Sequence, residues 1–141
     1  SSLIRSYLDS GDLNQVVSLL GHPYLIEGHV IKGDGRGNTL GYPTANLEFS
    51  SQKFIPKNGV YRGFCQVNHQ RYQAMIYIGT KPTFDQSSRG VEVFLRHFSD
   101  NLYNQSLQVF IQDKVRNEIK FTNSQELKNQ IQTDITNAFS D

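Results

Sequence analysis

Between Tyr24 and Ile111 the chain offers only short segments of two-residue period, and no helical stretch falls between any two of them. Parallel strands need a long crossover between them, most often a helix. A doubly wound sheet is therefore not expected, and the strands should pair antiparallel. Tyr24–Lys32 reads as a strand, and Ala45–Phe49 as a short one. Gly59–Val67 and Arg71–Ile78 read as a hairpin about Asn68-His69. Val91, Val93 and Leu95 alternate with Glu92, Phe94 and Arg96, and Leu107, Val109 and Ile111 alternate likewise. About six strands followed by one helix predict a small barrel or sandwich with a covering helix.

Both ends of the chain are helical in pattern. Leu3, Ile4, Tyr7 and Leu8 fall at helical spacing. Gly11-Asp12 breaks the helix and restarts it, with Asp12 as N-cap and Gln15 three residues on. Leu13, Val16, Val17 and Leu20 follow on one face, and Gly21 and Pro23 stop the run. At the other end Leu127, Ile131, Ile135, Ala138 and Phe139 form one apolar stripe. Ser124 or Asn123 can cap it, and Asn123 has Glu126 three residues on.

Composition narrows the function classes. With 141 residues the chain is long enough to bury a core without disulfides or metals. Its net charge of +1 provides no broad basic field, so a dedicated nucleic-acid binder is not expected. No apolar run approaches the roughly 20 residues needed to cross a bilayer, so no membrane partner is expected. The start shows no signal-peptide pattern, and a cytoplasmic location is the expectation. The single cysteine, Cys65, lies among strand-like residues and is expected to be a small core residue. The four histidines are scattered without metal-ligand spacing.

The richest segment for chemistry runs from Lys32 to Asn46. Gly33, Gly35, Gly37 and Gly41 make a loop whose backbone N–H groups could approach an anion, with Arg36 adding a positive charge. The spacing is neither a Walker loop nor Gly-x-Gly-x-x-Gly, and on composition alone a flexible connection between strands is the plainer reading. Thr44 and Asn46 are two apart, so in extended chain their oxygens share a side. Mg²⁺ takes such oxygen ligands together with waters and substrate phosphates; turn chemistry is the plainer reading. Glu92 lies opposite the apolar face of its strand, where it is either a general base toward a substrate hydroxyl or a solvated surface residue. Arg116, Glu118 and Phe121 form a polar-aromatic cluster before the last helix.

Taken together these segments resemble the riboflavin kinase family, and most closely the C-terminal kinase module of bacterial bifunctional riboflavin kinase/FAD synthetase. Five blocks carry the resemblance in order: Gly33-Asp-Gly-Arg-Gly-Asn-Thr-Leu-Gly-Tyr-Pro-Thr-Ala-Asn-Leu47, Pro56-Lys-Asn-Gly-Val-Tyr61, Ile78-Gly-Thr-Lys-Pro-Thr-Phe84, Val91-Glu-Val93 with Leu102-Tyr103, and Val115-Arg-Asn-Glu-Ile-Lys-Phe121. The resemblance implies a mainly β fold, a six-stranded antiparallel Greek-key barrel with a C-terminal helix and a short helical N-terminal segment. It implies Mg²⁺, or another divalent metal, with ATP and riboflavin as substrates and ADP and FMN as products. Gly33, Gly35, Arg36, Gly37 and Gly41 would cover the nucleotide, Thr44 and Asn46 would bind nucleotide and metal, and Glu92 would be the catalytic base. Arg116, Glu118 and Phe121 would lie in a loop that closes on the flavin. Residues 1–21 resemble the tail of an FMN adenylyltransferase module and its junction, leaving 22–141 as the kinase domain. This implies that the chain is a piece of a longer bifunctional enzyme.

Four positions depart from the family pattern. Tyr77 stands where asparagine is usual, Phe94 where histidine is common, His97 where an acidic residue is expected, and Asn104 where glycine is typical. Competing readings are another small-molecule kinase on the same barrel, a single-stranded nucleic-acid module that stacks bases on its aromatics, and a flavin-binding module without catalysis.

Overall fold

The computed structural model describes residues 2–31, 44–49, 54–80 and 89–139. Its strands are β1 (Tyr24–Ile31), β2 (Thr44–Glu48), β3 (Gly59–Val67), β4 (Gln70–Thr80), β5 (Arg89–Leu95) and β6 (Ser106–Asn117). They close into one antiparallel barrel in the order β1-β2-β5-β4-β3-β6. Consecutive strands β3, β4 and β5 lie side by side, and β2 returns beside β5, which is Greek-key order. Strand β6 pairs with both β3 and β1, so none of the described strands is left as an open edge. The choice between barrel and sandwich, open on periodicity alone, falls to the barrel.

The alternation read from the sequence sorts side chains as expected. Val91, Val93 and Leu95 enter the interior with Ala74, Ile76 and Ile78 of β4 and Val109 and Ile111 of β6. Cys65 joins them at 0% exposure, and burial pushes its thiol up to about 12. Asn68 and His69 both have positive φ, as a two-residue type I′ hairpin turn requires.

Gly63 shows how closely β3 and β6 approach. A register shift separates Arg62 from Gly63 in this ladder. A Cβ on Gly63 would fall against the Phe110 carbonyl, which is backbone and cannot swing away. Gly63→Ala is therefore expected to lower stability by about 2 kcal/mol or more, measured as a fall in the urea midpoint without change in slope.

Among the described residues three helices complete the fold: α1 (Ser2–Ser10), α2 (Leu13–Leu20) and α3 (Ser124–Ala138). The Asp12 side chain accepts from the Gln15 amide at 3.3 Å, and Gly21 ends α2 in the left-handed conformation. Helices α1 and α2 add Leu8, Leu13 and Val16 to the barrel's own core cluster. At α3 the Asn123 side chain accepts from the Glu126 amide at 2.9 Å, so Asn123 rather than Ser124 is the cap. Helix α3 covers the outside of the barrel. There Ala138 and Phe139 form a second apolar cluster with Val60 and Met75, joined by Tyr77, Phe94, Val115 and Ile135.

Candidate active site

Strand register assembles the site. Asn46 of β2 is paired with Glu92 of β5, and Glu92 is paired on its other side with Tyr77 of β4. Tyr77 is paired with Val60 of β3, and Val60 with Arg116 of β6. One row across five strands thus holds Asn46, Glu92, Tyr77, Val60 and Arg116. Glu92 lies between Val91 and Val93, both in the interior, so it faces outward and is half-buried. Ala45 and Leu47 pack on the interior core, which leaves Thr44 and Asn46 on the outer side with Glu92. Asn46 is buried there, and Thr44 is half-buried opposite Phe94.

Arg116 reaches the row through a bulge. The register shift between Val60 and Tyr61 inserts Val115, so that Val115 joins the outer apolar cluster while Arg116 meets the helix. Its guanidinium grips Asp134 of α3 with two bonds, Nε–Oδ1 at 2.7 Å and Nη2–Oδ2 at 2.8 Å. Asp134 is 1% exposed and also accepts from Gln130 Nε2 at 2.9 Å. Arg116 therefore belongs to strand β6, not to the loop in which the sequence reading set it, because its bulged strand runs on to Asn117.

Glu118 and Phe121 lie beyond the strand. The Glu118 carboxylate sits over Gly79, where a Cβ would displace it, and accepts from Asn58 Nδ2 at 3.4 Å. Asn58 in turn donates to Thr80 Oγ1 at 3.2 Å and accepts from Arg89 Nε at 2.9 Å. Arg89 also donates to the carbonyls of Ile55 and Pro56, tying the segment before β3 to the start of β5. Phe121 is half-buried and lines an open cleft of about 340 Å³ with Ile119, Lys120, Glu126, Gln130 and Thr133. Gln130 both lines this cleft and bonds Asp134, so the cleft adjoins the Arg116–Asp134 pair.

Gly33, Gly35, Arg36, Gly37 and Gly41 lie outside the described residues. Among the described residues no cluster of three His, Cys, Asp or Glu side chains is placed to hold a metal ion. The oxygens on the outer face, from Thr44 and Asn46 beside Glu92, are the hard donors that a divalent cation shared with nucleotide phosphates would accept, so the residues fit that group.

The sequence reading missed Asp134, Tyr77 and Arg89. Asp134 carried a signal: it falls three residues after Ile131 and four before Ala138, inside the apolar stripe, where a charge needs a partner. Arg89 carried none, because the Asn58 side chain and the carbonyls of Ile55 and Pro56 that it bonds are remote in sequence.

The comparisons with known proteins bear on this barrel and its outer face. The family model described as "Flavokinase: Riboflavin kinase" matches residues 20–140. The chain belongs to the riboflavin kinase family. It is 39% identical over 137 residues to the bifunctional riboflavin kinase/FMN adenylyltransferase of Bacillus subtilis (strain 168), covering 95% of this chain and 43% of that protein. The protein of the same description from Haemophilus influenzae is 38% identical over 139 residues, covering 98% and 45%. The chain thus spans under half the length of these relatives and is homologous to their kinase part. A crystal structure described as a macrolide-efflux protein from Streptococcus pneumoniae superimposes with a TM-score of 0.89 at 34% identity, covering 99% of this chain and 47% of that one. The activity in that description differs from the family's and is not carried over. The riboflavin kinase of Trypanosoma brucei superimposes with a TM-score of 0.59 at 24% identity, covering 82% and 76%, and shows the shared riboflavin kinase fold. No helix among the described residues is long and apolar enough to cross a membrane.

Proposed function

We propose that this chain transfers the γ-phosphoryl group of ATP to the 5′-hydroxyl of riboflavin, giving FMN and ADP. The observation that carries the proposal is the pairing of Glu92 with Asn46 on the outer face, two residues from Thr44. This sets a carboxylate beside two neutral oxygens, as a phosphoryl transfer to an alcohol requires. Thr44 and Asn46 hold the divalent cation, whose chemistry is to neutralise charge on the phosphate oxygens. Glu92 accepts the proton of the 5′-hydroxyl as its oxygen forms a bond to the γ-phosphorus. The bond from that phosphorus to the β,γ-bridging oxygen breaks, and its electron pair leaves with ADP. The 33–41 segment, with Arg36, covers the phosphates. Arg116, Glu118 and Phe121 receive the flavin, with the cleft against α3 as the ring's resting place.

Residues 1–21 are proposed as the junction to an FMN adenylyltransferase module, and the whole protein as a bifunctional cytoplasmic enzyme. Riboflavin with Mg·ATP should then give FMN, whereas FMN with Mg·ATP should give no FAD from this chain. FAD formation would overturn the division of labour.

Removing either neutral oxygen tests the nucleotide and metal assignment. Thr44→Ala and Asn46→Ala are each expected to weaken Mg·ADP binding about tenfold while leaving the melt close to that of the parent. Calorimetric titration with and without Mg²⁺ measures this. Metal-dependent binding of parental strength in both variants would move the site elsewhere.

A further inference from the structure

Among the described residues the Tyr77 hydroxyl is the one buried side-chain polar atom with no hydrogen-bond partner. Its ring packs under α3 in the outer apolar cluster. The charged groups facing it are Glu92 from β5, Arg116 from β6 and Asp134 from α3. Its neighbours Val60 on β3 and, beyond Glu92, Asn46 on β2 carry no charge. Asp134 lies near enough to interact weakly with the hydroxyl, yet its oxygens are already taken by Arg116 and Gln130, and the hydroxyl makes no contact with it of full hydrogen-bond geometry. Burial first, then the charge on Asp134, push the phenol well above its ordinary value; Arg116 pulls it back, and Glu92 and a weak hydrogen-bonding contact with Asp134 add to the rise. The group therefore stays protonated across the working range and is a standing donor.

Glu92 is directly opposite Tyr77 on the adjacent antiparallel strand, on the same face. Directly opposed residues of such a pair have Cβ atoms about 5 Å apart, within reach of an aromatic side chain. A buried donor without an acceptor is unfavourable, and sites that tolerate one are commonly functional. We propose that Tyr77 is a positioning residue, whose O–H donates to the Glu92 carboxylate in the substrate complex and holds it toward the acceptor hydroxyl. The inference rests on Glu92 being the base. No proton leaves Tyr77; the substrate proton passes to Glu92 alone.

Tyr77→Phe keeps the ring and removes only the hydroxyl, so the variant should fold, with a Tm at or above the parent's. Its kcat should fall about tenfold with KM for riboflavin and Mg·ATP little changed. Adding Tyr77→Phe to Glu92→Gln should cause no further loss, because Tyr77 acts through Glu92. Parental kcat in Tyr77→Phe would overturn the inference, and parental kcat together with a lowered Tm would assign the hydroxyl to Asp134. If Glu92→Gln alone kept its activity, the base assignment itself would fall; if only Tyr77→Phe kept it, the base would stand and the positioning role would not.

Discussion

Glu92→Gln is expected to fold like the parent, to bind both substrates, and to lose on the order of 10² or more in kcat. The side chain is half-buried on the outer face and takes no part in the interior core, so its change should cost little stability. Glutamine keeps the shape and cannot accept a proton. General-base help is worth roughly 10² to 10⁴. Phosphoryl transfer through a loose transition state draws more on positioning and charge stabilisation than on the base, which sets the expectation near the lower end. Mg·ADP affinity should hardly move, since the nucleotide is assigned to Thr44, Asn46 and the 33–41 segment. The measurement is kcat for FMN formation beside a thermal melt. A folded variant within a few-fold of the parent would leave Glu92 as an ordinary strand residue.

The second large effect is on stability. Arg116→Met is expected to cost about 3 kcal/mol or more and to lower Tm by roughly 10 °C. Asp134 is 1% exposed, and Arg116 supplies two of its three side-chain hydrogen bonds. Truncating the guanidinium strands a buried carboxylate, and only Gln130 is left to bond it. An uncompensated buried charge is far costlier than the loss of a surface pair. The double variant Arg116→Met/Asp134→Leu removes both charges and should recover most of the Tm. It also separates two roles that the single variant confounds. If the recovered double variant still binds riboflavin weakly, Arg116 contacts the flavin; if riboflavin binding returns with the fold, the residue serves only to hold α3 on the barrel.

The fold was legible because the barrel obeys local rules. Alternation named the interior faces of β5 and β6, the Asn68-His69 turn has the positive φ that its hairpin needs, and Asp12 and Asn123 cap their helices as read. Asn104, which stands where glycine is typical, has φ of 69°, and its side chain meets His29 Nε2 at 2.9 Å. The left-handed conformation explains the glycine, and asparagine tolerates it. The departures at Tyr77 and Phe94 are also related: both enter the apolar cluster under α3, so an aromatic packing surface stands where polar side chains are usual. Register was not legible. That Asn46 and Tyr77 flank Glu92 depends on which strands meet and in what phase, which pairing between segments far apart in sequence decides. Two register shifts after Ile111, one passing over Gln112 and one over Val115, break the two-residue period, so periodicity could not place the side chains from Gln112 to Arg116. Nor did the helical spacing of residues 3–20 reveal that Leu8, Leu13 and Val16 would finish the barrel's core rather than form a separate layer.

Phosphoryl transfer is followed most directly with ATP labelled on its γ-phosphate, incubated with riboflavin, Mg²⁺ and this chain, and with products separated by chromatography. The account predicts label on FMN, one per flavin, with an equal amount of ADP formed and no FAD. Label released as inorganic phosphate, or flavin that stays unlabelled with protein whose melt shows it folded, would contradict it.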